Sequence, residues 1–222
     1  MAAVIMLLAG CDRSTGLSGV RPGASPTVSA GVPMSNDPST SPTHVLELAA
    51  SPAPLPAGTY THAAFLPPAT LDLDGTWTSV ARFDDFFDVQ QDVGSPDVVA
   101  VQLARPSGLV GRAGIAPAPA DPGAAIELIR TNPGLAIIEE SESRISGLVG
   151  RQATVENSSG AFVGVLTVAP GTVSIDTGRR LWMAFFATPH GLVGVLVGGS
   201  VATWAHALAV AEPVLESIRI GP

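Results

Sequence analysis

Lysine is missing altogether: the 11 cationic residues of this 222-residue chain are all arginine, set against 19 Asp and Glu. That absence removes the P-loop lysine, Schiff-base lysines, the Ser-x-x-Lys hydrolases and the kinase lysine. Cysteine occurs once, at Cys11, which excludes an intrachain disulfide and any multi-cysteine zinc or iron–sulfur centre. Charged residues make up 14% of the chain, well below the usual quarter, and aromatics only 5%. A formal net charge of −8 sets the chain against nucleic acid as a partner. What is abundant is apolar: 46% of residues, with a mean hydropathy of +0.38, enough to fill the core of one domain.

The only cysteine follows an uncharged apolar run, Met1-Ala2-Ala3-Val4-Ile5-Met6-Leu7-Leu8-Ala9-Gly10. Leu8-Ala9-Gly10-Cys11 resembles the bacterial lipobox, in which the signal is cut before the cysteine and the cysteine receives the lipid. The run is short and has no basic n-region, and a start upstream of Met1 would supply both. The alternative is an apolar cytoplasmic N-terminus with an ordinary buried cysteine. If Cys11 is acylated, two or three chains hold the protein on a membrane, at about 0.8 kcal/mol per buried CH₂, and no free thiol remains for chemistry.

After Cys11 the composition turns to Ser, Thr, Gly, Pro and Ala, with prolines at 22, 26, 33, 38, 42, 52, 54 and 56. Proline at that density removes donors and forces extended backbone, so 11–57 reads as a lipid anchor and solvated tether, with at most a turn of helix around 43–50. Fully extended as polyproline it would span about 140 Å, and as a coil roughly 40 Å. The expected division is a signal peptide at 1–10, anchor and linker at 11–57, and one globular domain at 58–222.

Within that domain the pattern is mostly of period two. Strands are expected at 60–66, 70–73, 77–80, 83–91 and 98–104, separated by Pro-Pro, Asp-Gly and Gly-Ser-Pro turns. A helix should start at Asp121-Pro122, with Asp capping an orphan N–H and Pro at N1 losing nothing, and stop at Asn132-Pro133-Gly134. Further strands are expected at 135–138, 144–156, 161–168, 180–187 and 192–198. A closing helix from 201 to about 211 would carry Val201, Trp204, Ala205, Leu208 and Ala211 on one face, with Pro213 breaking it or starting a fresh turn. The last residues, 217–220, would form an edge strand.

Residues 181–211 contain no Asp, Glu or Arg and are long enough for a membrane span. Thr188-Pro189-His190-Gly191 and Gly198-Gly199 divide the stretch into pieces sized for two buried strands and a helix, and that is the expectation. Gly-Leu-Val-Gly-Arg occurs at 108–112 and 147–151, and Gly-Leu-Val-Gly-Val begins at 191. Unequal spacing and unmatched flanks argue against a solenoid, and no copy is a phosphate loop. The repeat reads as a glycine-rich strand start.

With those strands laid out, Gly58-Thr59-Tyr60, Phe65-Leu66-Pro67, Trp77 after Asp74-Gly75, Gly147-Leu148-Val149-Gly150 and the terminal Ser217-Ile218 together resemble a group of lipoproteins from high-GC bacteria. Where that group has Gly-Trp, this chain has Gly75-Thr76-Trp77. The resemblance implies a PsbP-like α/β/α sandwich: an α+β fold with a curved antiparallel sheet and two flanking helices. It also implies a binding or assembly role, although fold alone does not establish function.

The candidate chemistry is thin. Asp84, Asp85, Asp88 and Asp92 would hold a cation or form a solvated strand face; they miss the EF-hand spacing, so the solvated face is expected. Asp72-x-Asp74-Gly75 reads as a turn. Among His44, His62, His190 and His206 no pair has metal-helix spacing, and a zinc site from His62 and His190 is disfavoured. Glu139, Glu140 and Glu142 read as a wet surface rather than an acid/base set. The aromatics, Trp77, Trp182 and Trp204 among them, are expected in the core more than around a ligand pocket.

The sequence therefore points to a lipid-anchored extracytoplasmic protein of the cell membrane. Its domain would bind an envelope protein or an apolar small molecule, without catalysis, cofactor or metal. The alternative is a lipid-anchored hydrolase whose triad forms only in three dimensions, since no Gly-x-Ser-x-Gly elbow is present.

Overall fold

The computed structural model describes residues 43–45, 52–169 and 171–221. Among the described residues, β1 (Thr43–Val45), β2 (Ala53–Pro54), β3 (Gly58–His62), β4 (Ala69–Leu73), β5 (Thr78–Phe83), β6 (Phe86–Gln91), β7 (Val99–Ala104), β8 (Gly108–Gly111) and β9 (Gly114–Pro117) lead to helix α1 (Pro122–Arg130). The second half continues with β10 (Leu135–Ile145), β11 (Leu148–Asn157), β12 (Val163–Val168), β13 (Gly171–Ile175), β14 (Arg179–Thr188) and β15 (Gly191–Ser200). Helix α2 (Trp204–Ser217) and β16 (Arg219–Ile220) close the chain.

Eight strands form the central sheet, in the order β10-β11-β14-β15-β7-β6-β5-β2, with every neighbouring pair antiparallel. Its middle strands, β15, β7 and β6, are buried on both sides, and alternate residues serve different cores. On β15, Val193, Val195 and Val197 join a core with α2 residues Ala207, Ala211 and Val214 and with Tyr60, Leu71, Leu73 and Ile220 of the β1-β3-β4-β16 sheet. Leu192 and Leu196 of the same strand join a second core with α1 residues Ala125, Ile126 and Ile129 and with Leu109, Val165, Leu166 and Val173 of the β13-β12-β8-β9 sheet. Each face of the central sheet thus carries one helix and one small sheet. The described residues form an α+β domain built mostly of antiparallel sheet, with two helices.

Local chemistry explains the elements. Asp121 caps α1, its Oδ1 accepting the Ala124 N–H at 2.7 Å with Pro122 at the first position, as expected. The stretch 181–211 is a hairpin and a helix, and among the described residues no helix is long and apolar enough to cross a membrane. The expected strand at 144–156 is instead two, because Ser146 and Gly147 both take positive φ (54° and 78°), the geometry of a two-residue hairpin turn.

Helix α2 also differs from expectation. It runs from Trp204 through Pro213 to Ser217, and its buried stripe is Ala207, Ala211 and Val214; of the expected face Ala211 is buried, Trp204 and Leu208 are half-buried against the first core, and Ala205 is exposed. Small residues lie at the centre because the helix sits close on β15: a Cβ on Gly199 would meet the Ala207 Cβ at 2.6 Å. Continuing past Pro213 buries Val214, which offsets the one helical hydrogen bond that a proline cannot donate. At the other end, Thr43–Val45 pairs in parallel with β3, Ala53–Pro54 pairs with β5, and Leu55 is buried in the first core. Folded structure therefore reaches into residues that composition assigns to the linker.

Candidate functional site

Two surface clefts and one buried polar rung gather the functional side chains. The first cleft, of about 290 Å³, lies where the β5–β6 and β14–β15 hairpin tips meet the β7–β8 and β9–α1 connections. Asp85, Arg105, Ser107 and His190 line it together with Pro106, Pro117 and Pro119. The Asp85 carboxylate pairs with the Arg105 guanidinium at 2.8 Å, and the Arg105 N–H donates to the Asp85 carbonyl at 2.8 Å, so backbone and side chain lock the same two residues. The Ser107 hydroxyl donates to the Thr167 carbonyl at 3.2 Å and lies 3.1 Å from the Thr167 hydroxyl. Thr188 Oγ1 donates to the Gly191 carbonyl at 2.8 Å and accepts the His190 N–H at 3.2 Å, which fixes the turn that presents the imidazole. The residue types of a hydrolytic triad therefore line one cleft without the hydrogen bonds that would link them, because Asp85 is held by Arg105 and Ser107 by Thr167.

The second cleft, of about 470 Å³, opens beside the start of α1 and is lined by Asp121, Glu127, Glu140, Glu142, Val149 and Arg151, among others. Its charges are spent on one another. Glu140 bridges Arg130 and Arg151, Arg130 also holds Glu127 at 3.2 Å, and Arg144 holds Glu142 at 2.7 Å. The hydrogen bond from Arg151, with Arg130 beside it, holds the Glu140 carboxyl below the usual carboxylate range. The reading of Glu139, Glu140 and Glu142 as a wet surface agrees with this exposed ion network.

The acidic cluster falls apart in three dimensions. Asp84 and Asp85 form the β5–β6 turn, Asp92 sits at positive φ after β6, and Asp88 is buried at 1% exposure. The solvated strand face expected there is corrected at Asp88: β6 is covered on both faces, so it has no wet side. Burial pushes the Asp88 carboxyl up to about 7, against the opposing amides of Gln90 and Gln102. Asp74 accepts from the backbone and hydroxyl of Thr76 at 3.0 and 2.6 Å, making Asp72-x-Asp74-Gly75 the expected turn, with Gly75 at φ 91°.

His62 and His190 have separate surroundings. His62 is buried against Phe65 and Phe87, with Nε2 2.7 Å from the Phe83 carbonyl, while His190 lines the first cleft. His206 is exposed on α2, and among the described residues no group of three His, Asp or Glu side chains stands ready for a metal ion. Trp77 is fully buried in the first core, and Trp182 and Trp204 pack against it. Cys11, the Leu8-Ala9-Gly10-Cys11 motif and most of the expected tether lie outside the described residues.

Sequence reasoning missed Arg105 and Ser107, which follow β7 as Arg105-Pro106-Ser107, and the Pro117-Ala118-Pro119 wall before α1. The signal was the proline spacing, which marks both connections as rigid. It also missed the rung of Asp88, Gln90 and Gln102, the three buried polar residues of β6 and β7.

No family model matches the sequence, and no curated protein matches it significantly. Among solved structures the chain is similar to the PsbP protein of the cyanobacterium Synechocystis sp. PCC 6803, CyanoP, at 10% identity and a TM-score of 0.43, over 78% of this chain and 94% of that one. It is similar to LpqN of Mycobacterium tuberculosis, a protein involved in cell envelope biogenesis, at 10% identity and a TM-score of 0.42, over 78% of this chain and 91% of that one. Likeness of this extent assigns the chain neither a family nor a function.

Proposed function

We propose that this chain is a lipid-anchored extracytoplasmic protein whose domain, a PsbP-like α/β/α sandwich, works as a non-catalytic binding or assembly module of the cell envelope. The observation that carries the reading is the placement of the only cysteine: Leu8-Ala9-Gly10-Cys11 ends an apolar run and opens a proline-rich stretch. A cysteine diacylated at that point tethers the domain to a bilayer through two chains, which is stable anchoring, whereas one chain would exchange. The first cleft is the surface such a module would present. Its ion pair, imidazole and proline walls are held by four connections on rigid strands, as a recognition site requires.

The test is fractionation of the full chain expressed in a bacterium, followed by intact-mass measurement. Wild type is expected in the membrane fraction with residues 1–10 removed and acyl mass added, and Cys11→Ala is expected to leave that fraction. A wild-type chain that is soluble, retains Met1 and has a free thiol would overturn the anchored reading.

One observation favours the hydrolase alternative: Asp85, Ser107 and His190 share a cleft. Turnover of a simple carboxylic ester by the purified chain, lost in Ser107→Ala, would replace the non-catalytic reading with that one.

A further inference from the structure

Strands β6 and β7 are in regular antiparallel register, and Asp88 lies directly opposite Gln102. Phe86 on one side of Asp88, and Ala100 and Ala104 on either side of Gln102, belong to the second core. Period two therefore places Asp88, Gln90 and Gln102 on that same face, under α1 and the β13-β12-β8-β9 sheet. Asp88, Gln90 and Gln102 are 1%, 2% and 1% exposed. Gln90 Nε2 donates to Asp88 Oδ2 at 3.0 Å. The other oxygen, Asp88 Oδ1, has no hydrogen-bond partner among the described residues, nor have Gln90 Oε1 and both polar atoms of Gln102.

An ionised carboxylate only accepts, so in that form Asp88 draws on the amide N–H groups of Gln90 and Gln102, which oppose the upward shift, and the buried Gln90 Oε1 and Gln102 Oε1 are left without a donor. A protonated carboxyl turns one acceptor into a donor in a rung that holds two buried amide oxygens without a partner. Leaving a buried charge unpaired here would be far more unfavourable than keeping the proton.

We propose that the rung of Asp88, Gln90 and Gln102 is a pH-sensitive latch, closed by a neutral Asp88 carboxyl and loosened at the β5–β6–β7 side of the central sheet when that proton leaves.

The charges around the rung leave it alone. On β5, Ala81 and Phe83 face the second core, whereas Arg82 pairs with Phe87 in the register and faces the first core, where His62 is also buried. Asp85 and Arg105 close the β6–β7 ladder at one end by pairing with each other. Asp92, Asp97 and Arg179 stand at the other end, with Arg179 donating to the Pro96 and Val98 carbonyls at 2.9 Å. From α1 and the second small sheet, the residues of the second core are apolar. Burial is accordingly the main cause of the upward shift to about 7, with the two amides opposing it and no charged side chain contributing.

The sign follows. Between about pH 4 and 7 the folded chain keeps a proton that the unfolded chain has released, so folding becomes less favourable as pH rises through that window, and the loss levels off above 7. Opening of the rung should follow the same limb.

Carbon-detected NMR of the full chain reads the Asp88 carboxyl directly. The expected midpoint is near 7, and the protection of β6 and β7 amides, corrected for the intrinsic base-catalysed rate, should fall above it, with Asp88→Asn removing that fall and raising the urea midpoint at pH 8. A carboxyl that titrates near 4 overturns the proposal. So does an Asp88→Asn chain whose β6 and β7 amides keep the wild-type pH dependence. If Asp88→Asn does not fold, the wild-type titration alone decides.

Discussion

Glycine at position 150 is required by its neighbours rather than by its own backbone angle. It pairs with Phe186 across β11 and β14, and a Cβ there would stand 2.0 Å from the Phe185 carbonyl oxygen and 2.7 Å from the Phe186 ring. Gly111 and Gly194, the corresponding glycines of the other two Gly-Leu-Val-Gly copies, are also crowded, by Leu128 and Thr131 of α1 and by the Phe185 ring. The first glycines at 147 and 191 do a different job, taking φ of 78° and 108° in the turns before β11 and β15. In the copies at 147 and 191 the repeat is thus a turn glycine followed by a clearance glycine, whereas Gly108 of the first copy is itself a clearance glycine, 2.8 Å from the Ala116 carbonyl oxygen. Gly150→Ala should destabilise the fold by about 1–3 kcal/mol, since the obstructing atom is main chain and cannot swing away. Gly160→Ala, with nothing within 4 Å and an ordinary φ, should change stability by less than about 0.5 kcal/mol. Urea unfolding of the two variants decides it, and equal midpoints would refute the clearance role.

At the scale of elements, legibility followed punctuation. Helix α1 was readable because Asp121-Pro122 and Asn132-Pro133-Gly134 bracket an apolar stripe, and the β14–β15 hairpin because Thr188-Pro189-His190-Gly191 interrupts a long apolar run. Asp121→Ala removes the acceptor for the Ala124 N–H and should lower stability by about 1 kcal/mol, with Asp121→Asn retaining most of it, as thermal or urea unfolding would show. Strands β8 and β9 were not readable, being four residues long and without clean alternation, whereas β13 alternates as Thr172-Val173-Ser174-Ile175 and was missed for its shortness. Their identity comes from pairing partners far along the chain, such as Leu109 with Leu166. The face of α2 was misjudged for a related reason. Hydrophobicity favoured Trp204 and Leu208, but close approach to Gly199 selects alanine, and approach distance is not written in one helix alone.

For the whole molecule, the decisive fact is that the middle strands of the central sheet, β15, β7 and β6, have no exposed face. A reading that grants every strand one dry side and one wet side must put Asp88 in water. Only the stacking of a helix and a small sheet on both sides buries it, and that stacking involves residues more than a hundred positions apart. The same geometry couples the two cores, because Phe185 and Phe186, or Leu196 and Val197, send adjacent side chains to opposite ones. All three tryptophans belong to or pack against the first core, so their fluorescence reports that core alone. Leu166 is fully buried in the second core. Leu166→Ala should cost about 2–5 kcal/mol, and if the shared strands make unfolding one transition, the tryptophan midpoint must fall by the same amount as the midpoint from far-ultraviolet circular dichroism. A fluorescence midpoint that stays at the wild-type value while the dichroism midpoint drops would mean that the cores melt separately, and that the central sheet joins them in space without joining them in free energy.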